Sequence, residues 1–243
     1  MQKILIYLTL MSFLLISCVE KQELIKKNQI SITRNASVLN RELQNYLNII
    51  SEVSSFTTAI DNNHELIDDN NDYYYVSKDH DLTDKNFYYL ANEDFNPSRN
   101  PVFINEPYLN SSLDDYVVSV IAPVYYYDEF QGVVGIDITV HSLFEKLILN
   151  PDDNSHTFII SNSGLWVTGE DFLLNLFSIT EELDKSSQDL NNHNNSDINN
   201  IITKLLEGNR NFIANISNRM YYVISVELQL ADWLLVYIVP SWI

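Results

Sequence analysis

Asp137 lies in the run Gly132-Val-Val-Gly-Ile-Asp-Ile-Thr-Val140, where residue type alternates with a period of two. In an extended strand that period sends alternate side chains to opposite faces. Val134, Ile136, Ile138 and Val140 then form an aliphatic face, while Val133, Gly135, Asp137 and Thr139 share the other. An unpartnered carboxylate in a dry core would cost several kcal/mol or take up a proton. The pattern therefore predicts a partner for Asp137: a fixed one such as Lys85, Arg99 or the following turn, or a cationic ligand for which Gly135 leaves space. Tyr88, Tyr89, Tyr108, Tyr125, Tyr126 and Tyr127 offer rings that could surround an ammonium group, each contact contributing about 0.5–2 kcal/mol. Taken singly, each reads equally as a half-buried strand or helix residue.

Other chemistries find little support. His64, His80, His141, His156 and His193 are far apart, without HExxH or HxH spacing, so no metal site is expected. Asp68-Asp69 and Asp152-Asp153 lack the regular spacing of a calcium loop and read as solvated turns. The chain has five Gly and neither phosphate-loop pattern, and it shows no GxSxG elbow. No catalytic residue, metal or cofactor is expected. Fourteen Lys and Arg against 33 Asp and Glu give a net charge of −19, which disfavours nucleic acid and weakly favours cations.

The elements that must position Asp137 follow from composition and periodicity. With 243 residues, 46% hydrophobic and 19% charged, the chain can fold around a core. Lys3, the apolar run Ile4–Ile16 and the single cysteine, Cys18, read as a signal peptide over residues 1–17, because that run is short for a bilayer span. Apolar or small residues at Ile32, Ala36, Leu39, Leu43, Tyr46, Ile50, Val53, Thr57 and Ile60 alternate in spacing between four and three. They predict one long helix, from about 20 to 60, lying on the body rather than standing free as a coiled-coil stalk. An acidic connector at 61–72 precedes strands at 73–76, 116–127 and 132–140, the last two joined by a turn at 128–131. A helix is expected at 141–149. Strands at 156–168, 218–228 and 232–239 follow, with an Asn-rich loop at 188–196 between helical pieces.

Leu15-Ile-Ser-Cys18 resembles the bacterial lipobox, which implies that Cys18 is acylated and becomes the mature N-terminus. Glu106-Pro-Tyr108, Tyr116-Val-Val-Ser-Val-Ile-Ala-Pro-Val-Tyr125 and Gly132-Val-Val-Gly-Ile-Asp-Ile138 resemble, in this order, the first module of the double Cache family of extracytoplasmic sensors. Asn162-Ser-Gly164 and Trp233-Leu-Leu-Val-Tyr-Ile-Val-Pro240 are similar to its second module, with Asp232 where a Gly is common. The resemblance implies an α+β fold: a long N-terminal helix packed on two tandem PAS-like (Cache) modules with antiparallel sheets. Its parts would be the anchor and helix at 18–61, a membrane-distal module at 62–150 and a membrane-proximal module at 151–243.

In amine-binding and amino-acid-binding members the Asp at position 137 receives the ligand ammonium, and an Arg-x-Trp-Tyr segment assists. Lys85, Phe87 and Tyr88 stand at that segment here. Lys85 meets a carboxylate as a point charge without the bidentate fork of Arg. The implied binding set is Asp137, Tyr88, Lys85, Phe87, Tyr108 and Tyr125. The implied ligand is an amine, an amino acid or a small organic acid.

These readings describe a non-enzymatic, lipid-anchored extracytoplasmic sensing or binding protein, placed at the outer membrane or cell surface. A separate transmembrane protein would carry the signal, since no output domain follows the second module. The competing expectation is a structural or adhesive surface lipoprotein that keeps the fold without a ligand.

Overall fold

The computed structural model describes residues 2–57, 86–110, 115–147, 155–177 and 189–241. The connector 61–72, the strand expected at 73–76, His64, His80 and Lys85 lie outside the described residues, as do the side chains of Cys18 and Phe87. The fold is α+β, with one long helix and antiparallel sheets.

Helix α1 runs Gln2–Thr57. Its stripe is buried where its side chains are described: Ile32, Ala36, Leu39, Leu43 and Ile50 are at most 3% exposed, and Tyr46 is half-buried. Packing of this face, more than helix propensity, stabilises α1, which runs for 56 residues.

The chain divides into two compact units, residues 42–139 and residues 1–41 with 140–243. In the first, the short helix α2 (Asn86–Tyr89) precedes a sheet ordered β1-β2-β3, made of Val102–Asn110, Asp115–Tyr126 and Glu129–Thr139. Strand β1 was not expected, because Asn105-Glu-Pro107 breaks its apolar run. It survives as an edge strand with a register shift between Ile104 and Tyr108, which accommodates a proline that cannot donate to a ladder. The turn also differs from expectation. It is Tyr127-Asp128, with φ of 47° and 64°, a two-residue hairpin loop with both residues left-handed. Glu129–Gln131 belong to β3 instead. A second register shift, between Val124 and Tyr125, accompanies Gly132 at φ 155°.

The second unit begins with α3 (Val140–Leu147) and continues through β4 (His156–Ser161), β5 (Trp166–Gly169), α4 (Asp171–Leu176), a 3-10 turn at Leu190–Asn192, α5 (Ser196–Leu206), β6 (Asn211–Ile216), β7 (Arg219–Leu228) and β8 (Trp233–Pro240). The Asn-rich segment thus supplies the 3-10 turn and the cap of α5, whose first exposed N–H groups are met by Asn195. Sheet order is β5-β4-β8-β7-β6, antiparallel throughout. Strand β6 was not expected either; it is short and lies at the sheet edge.

Cross-strand partners share a face, so Phe158, Val236 and Ser225 point one way and Ile159, Leu235 and Val226 the other. The first face joins Leu173, Phe177, Ile198, Ile202 and Leu205 in the core. On the second, Asn35 of α1 donates to the Tyr237 hydroxyl (2.6 Å) and Gln29 to Asn211 (3.2 Å). Every residue of β8 is buried because helices cover both its faces, which is why its sequence reads as a continuous apolar run rather than an alternation.

Leu39→Ala should cost about 2–5 kcal/mol, the usual range for a truncated core leucine, whereas Ile30→Ala, at a position 62% exposed, should stay within about 0.5 kcal/mol. Equal losses in denaturant unfolding would refute the packing of α1 on the body.

Candidate functional site

The hairpin register sets Ser119 opposite Asp137, Ile121 opposite Gly135 and Val117 opposite Thr139. On the other side of β2, Tyr108 pairs with Val117 and Asn110 with Asp115. Tyr108, Asn110, Ser119 and Asp137 therefore project from one face of the sheet. Their side chains meet. Ser119 Oγ donates to Asp137 Oδ1 at 2.6 Å and Asn110 Nδ2 donates to Oδ2 at 2.7 Å. Tyr108 Oη lies 3.1 Å from the same Oδ1 and 2.7 Å from Ser119 Oγ.

Asp137 is thus exposed rather than buried, and the partners it has among the described residues are neutral donors, not Arg99. Ser119 beneath it is 2% exposed. A carboxylate offers about four acceptor positions; two on Oδ1 and one on Oδ2 are used. All three donors are neutral. Among the described residues no Lys, Arg or His pairs with Asp137. Arg99, one expected partner, instead meets Glu93 (2.5 Å) and Asp128 (2.9 Å).

The Tyr108 phenol is held above its ordinary 10.0, chiefly by burial, with the adjacent Asp137 charge adding to the effect and the Ser119 hydrogen bond opposing it. It remains a donor at neutral pH.

The other expected aromatic residues gather elsewhere. Phe130 stands edge-on to both Tyr88 (5.3 Å between centroids) and Tyr125 (5.6 Å), and the Arg99 guanidinium lies 4.0 Å over the Tyr125 ring. Ser119 and Tyr125 are six residues apart on one strand, about 20 Å, so Tyr125 cannot join a cage around Asp137. Its hydroxyl is buried without a hydrogen-bond partner among the described residues, and burial followed by the Glu93 charge raises its pKa. Of the expected binding set, the structure brings together Asp137 and Tyr108, and separately Tyr88 and Tyr125. Ser119 and Asn110 were missed; only a correct hairpin register would have pointed to Ser119.

Gly135 leaves less space than its lack of a side chain suggests. A Cβ there would stand 3.2 Å from Ile121 Cγ2, a tight contact on the face that carries Asp137. No cluster of His, Cys, Asp and Glu able to hold a metal ion occurs among the described residues, and no helix among them is long and apolar enough to cross a membrane.

No protein-family model and no curated protein matches the sequence. Solved structures do match in shape. The ligand-binding domain of the Campylobacter jejuni chemoreceptor Tlp3, in complex with L-norvaline, superposes with a TM-score of 0.64 at 14% identity, covering 91% of this chain and 92% of that one. That of the Pseudomonas aeruginosa PAO1 amino acid chemoreceptor PctB, in complex with L-Arg, gives 0.61 at 14% identity, with 90% and 96% covered. That of the Pseudomonas fluorescens chemoreceptor CtaA, in complex with L-serine, gives 0.60 at 12% identity, with 90% and 98% covered. The fold is that of a Cache-type sensor domain. The four-residue cluster at Asp137 therefore sits on the sheet of a Cache fold.

The raised Tyr108 pKa makes a signed prediction. Below pH 10.0 the phenol is neutral in folded and unfolded chains alike, and its stabilisation is complete. Above that pH the unfolded chain ionises first, so stability drains away until the folded phenol titrates as well. Wild type should lose stability more steeply than Tyr108→Phe between pH 9 and about 12, while near neutrality the variant should be about 1 kcal/mol less stable through its lost hydrogen bonds. Urea midpoints across that range measure the gap; a gap constant with pH would remove the assigned environment.

Proposed function

We propose that this protein is a lipid-anchored extracytoplasmic binding protein of two tandem Cache modules, 62–150 and 151–243, whose membrane-distal module binds a small amine-bearing ligand at Asp137. One observation carries the reading. Asp137 is exposed, oriented by three neutral donors, and has no cationic partner among the described residues. Neutral donors fix a carboxylate without cancelling its charge, which leaves an oriented anion with one open acceptor position on Oδ2. An ammonium group supplies what that position lacks: a proton donor bearing the opposite charge. The oxygens of Tyr108 and Asn110 stand beside it as further acceptors.

The structural neighbours support the same class, since norvaline, arginine and serine each carry an ammonium. Whether the ligand also carries a carboxylate turns on Lys85, the residue suited to meet one. Phe87 and Tyr88 belong to the same segment, but Tyr88 packs on Phe130 at the turn end and takes no part in the Asp137 site. Binding would be passed to a separate transmembrane partner, with Cys18 acylated and residues 18–61 linking anchor to modules.

A melting-temperature screen against primary amines, polyamines, quaternary amines, amino acids and simple carboxylates tests the ligand class. A true ligand at a hundredfold excess over its Kd adds about 2.7 kcal/mol, roughly 5–10 °C for a chain of this size. Asp137→Asn, which keeps the shape and removes the charge, should weaken the best amine about tenfold to a hundredfold. Stabilisation by carboxylates alone, or unchanged affinity in Asp137→Asn, would refute the site.

The anchor is tested separately by metabolic labelling with a palmitate analogue. Wild type should be marked and Cys18→Ser should not; label in both would remove the lipoprotein reading.

A further inference from the structure

Helix α1 carries a second feature that ligand binding does not use. Residues 19–41 hold five Lys and Arg against two Glu, a net charge of +3 in a chain of −19. Lys21, Lys26, Lys27, Arg34 and Arg41 are all exposed. At about 100° per residue, Lys27, Arg34 and Arg41 fall on one line, roughly opposite the buried Ile32, Ala36 and Leu39. Lys26 and the exposed Ile30 flank that line, and Glu23 stands on it one turn before Lys27. The line spans fourteen residues, about 21 Å. In the unit formed by residues 1–41 and 140–243, α1 covers one face of the sheet, so the line lies on that unit's outer surface.

We propose that this basic face of α1 docks on an anionic phospholipid surface. Two observations favour lipid over an acidic protein. Charges spread evenly along 21 Å do not converge on a single group, as they would around one phosphate, but they match a continuous anionic plane. An exposed isoleucine among them suits a headgroup boundary, the combination that marks helices lying on membranes. The rest of the chain, net −22 by difference, is repelled by such a surface, so the same field that attracts α1 fixes which side faces the lipid.

The test uses the full chain and two vesicle types, phosphatidylcholine alone and phosphatidylcholine with 30% phosphatidylglycerol. The ratio of the two partition coefficients isolates the charge. Each Lys or Arg at an anionic surface contributes roughly a fivefold gain in partition. Lys27→Glu/Arg34→Glu/Arg41→Glu should therefore lower the ratio on the order of a hundredfold, as should raising the salt for wild type. All three positions are exposed, and an unchanged melting temperature confirms that the variant folds. Asn200→Glu/Thr203→Glu/Lys204→Glu, which adds negative charge on α5 across the sheet from α1, should leave most of the preference intact. A wild-type ratio near one, or equal ratios for wild type and the α1 variant, would overturn the proposal. So would an α5 variant as defective as the α1 variant, since net charge and not this face would then govern binding.

Discussion

The register of the β2–β3 hairpin is the constraint on which the Asp137 cluster depends. A two-residue turn at Tyr127-Asp128 pairs Tyr126 with Glu129 and Tyr125 with Phe130. Continued without interruption, that register would set Val118 opposite Asp137. The irregularity next to Gly132 inserts one residue, so that Val124 meets Gly132 and every later pair shifts by one. Because side chains alternate with a period of two, the shift decides which β2 residue stands beside the carboxylate: Ser119, with a proton to give, rather than Val118. Gly132 has a φ of 155° with no atom within 4 Å of a would-be Cβ, so its cost to any other residue is backbone strain and not crowding. Arg99 holds the turn from outside through Asp128, fixing the end from which the register is counted.

The sequence made the alternation of β3 legible, and with it the face of Asp137, because that strand is covered differently on its two sides. It did not make the partners legible. A turn at 128–131 would have paired Asp137 with Ala122, hiding Ser119, and the insertion at Gly132 leaves no composition signal beyond a single glycine. Tyr127 and Asp128 are poor advertisements for a left-handed turn, where Asn-Gly is the usual sign; Ser217-Asn218, at φ of 51° and 64°, makes a second such turn without glycine. The buried stripe of α1 was legible because its period is long and unbroken. Strands β1 and β6 were not, because both lie at the edges of their sheets among the described residues, where Pro107 and the exposed Ile213 are tolerated.

Hydrogen-bonding groups and ion-pairing groups are sorted along the same sheet face. At the turn end Arg99 is fully engaged by two acids and an aromatic ring, so its charge is spent within the protein. At the far end Asp137 receives only neutral donors. Had Arg99 reached Asp137 instead, the pair would have neutralised the carboxylate. Separation by about 20 Å, more than two Debye lengths at physiological salt, keeps the two ends electrostatically independent.

The neutral cradle has a further consequence for rigidity. Asp137 has two side-chain torsions to fix, and its oxygens are tied to both neighbouring strands: Oδ2 to β1 through Asn110, Oδ1 to β2 through Ser119 and to β1 through Tyr108. Three strands thus hold one carboxylate, and Ser119 is itself buried. Orientation comes from regular strands rather than from a loop, so the entropy of ordering the carboxylate has already been lost in folding. Under the proposed function, a cation arriving there would gain the charge-assisted hydrogen bond without having to order the group that accepts it.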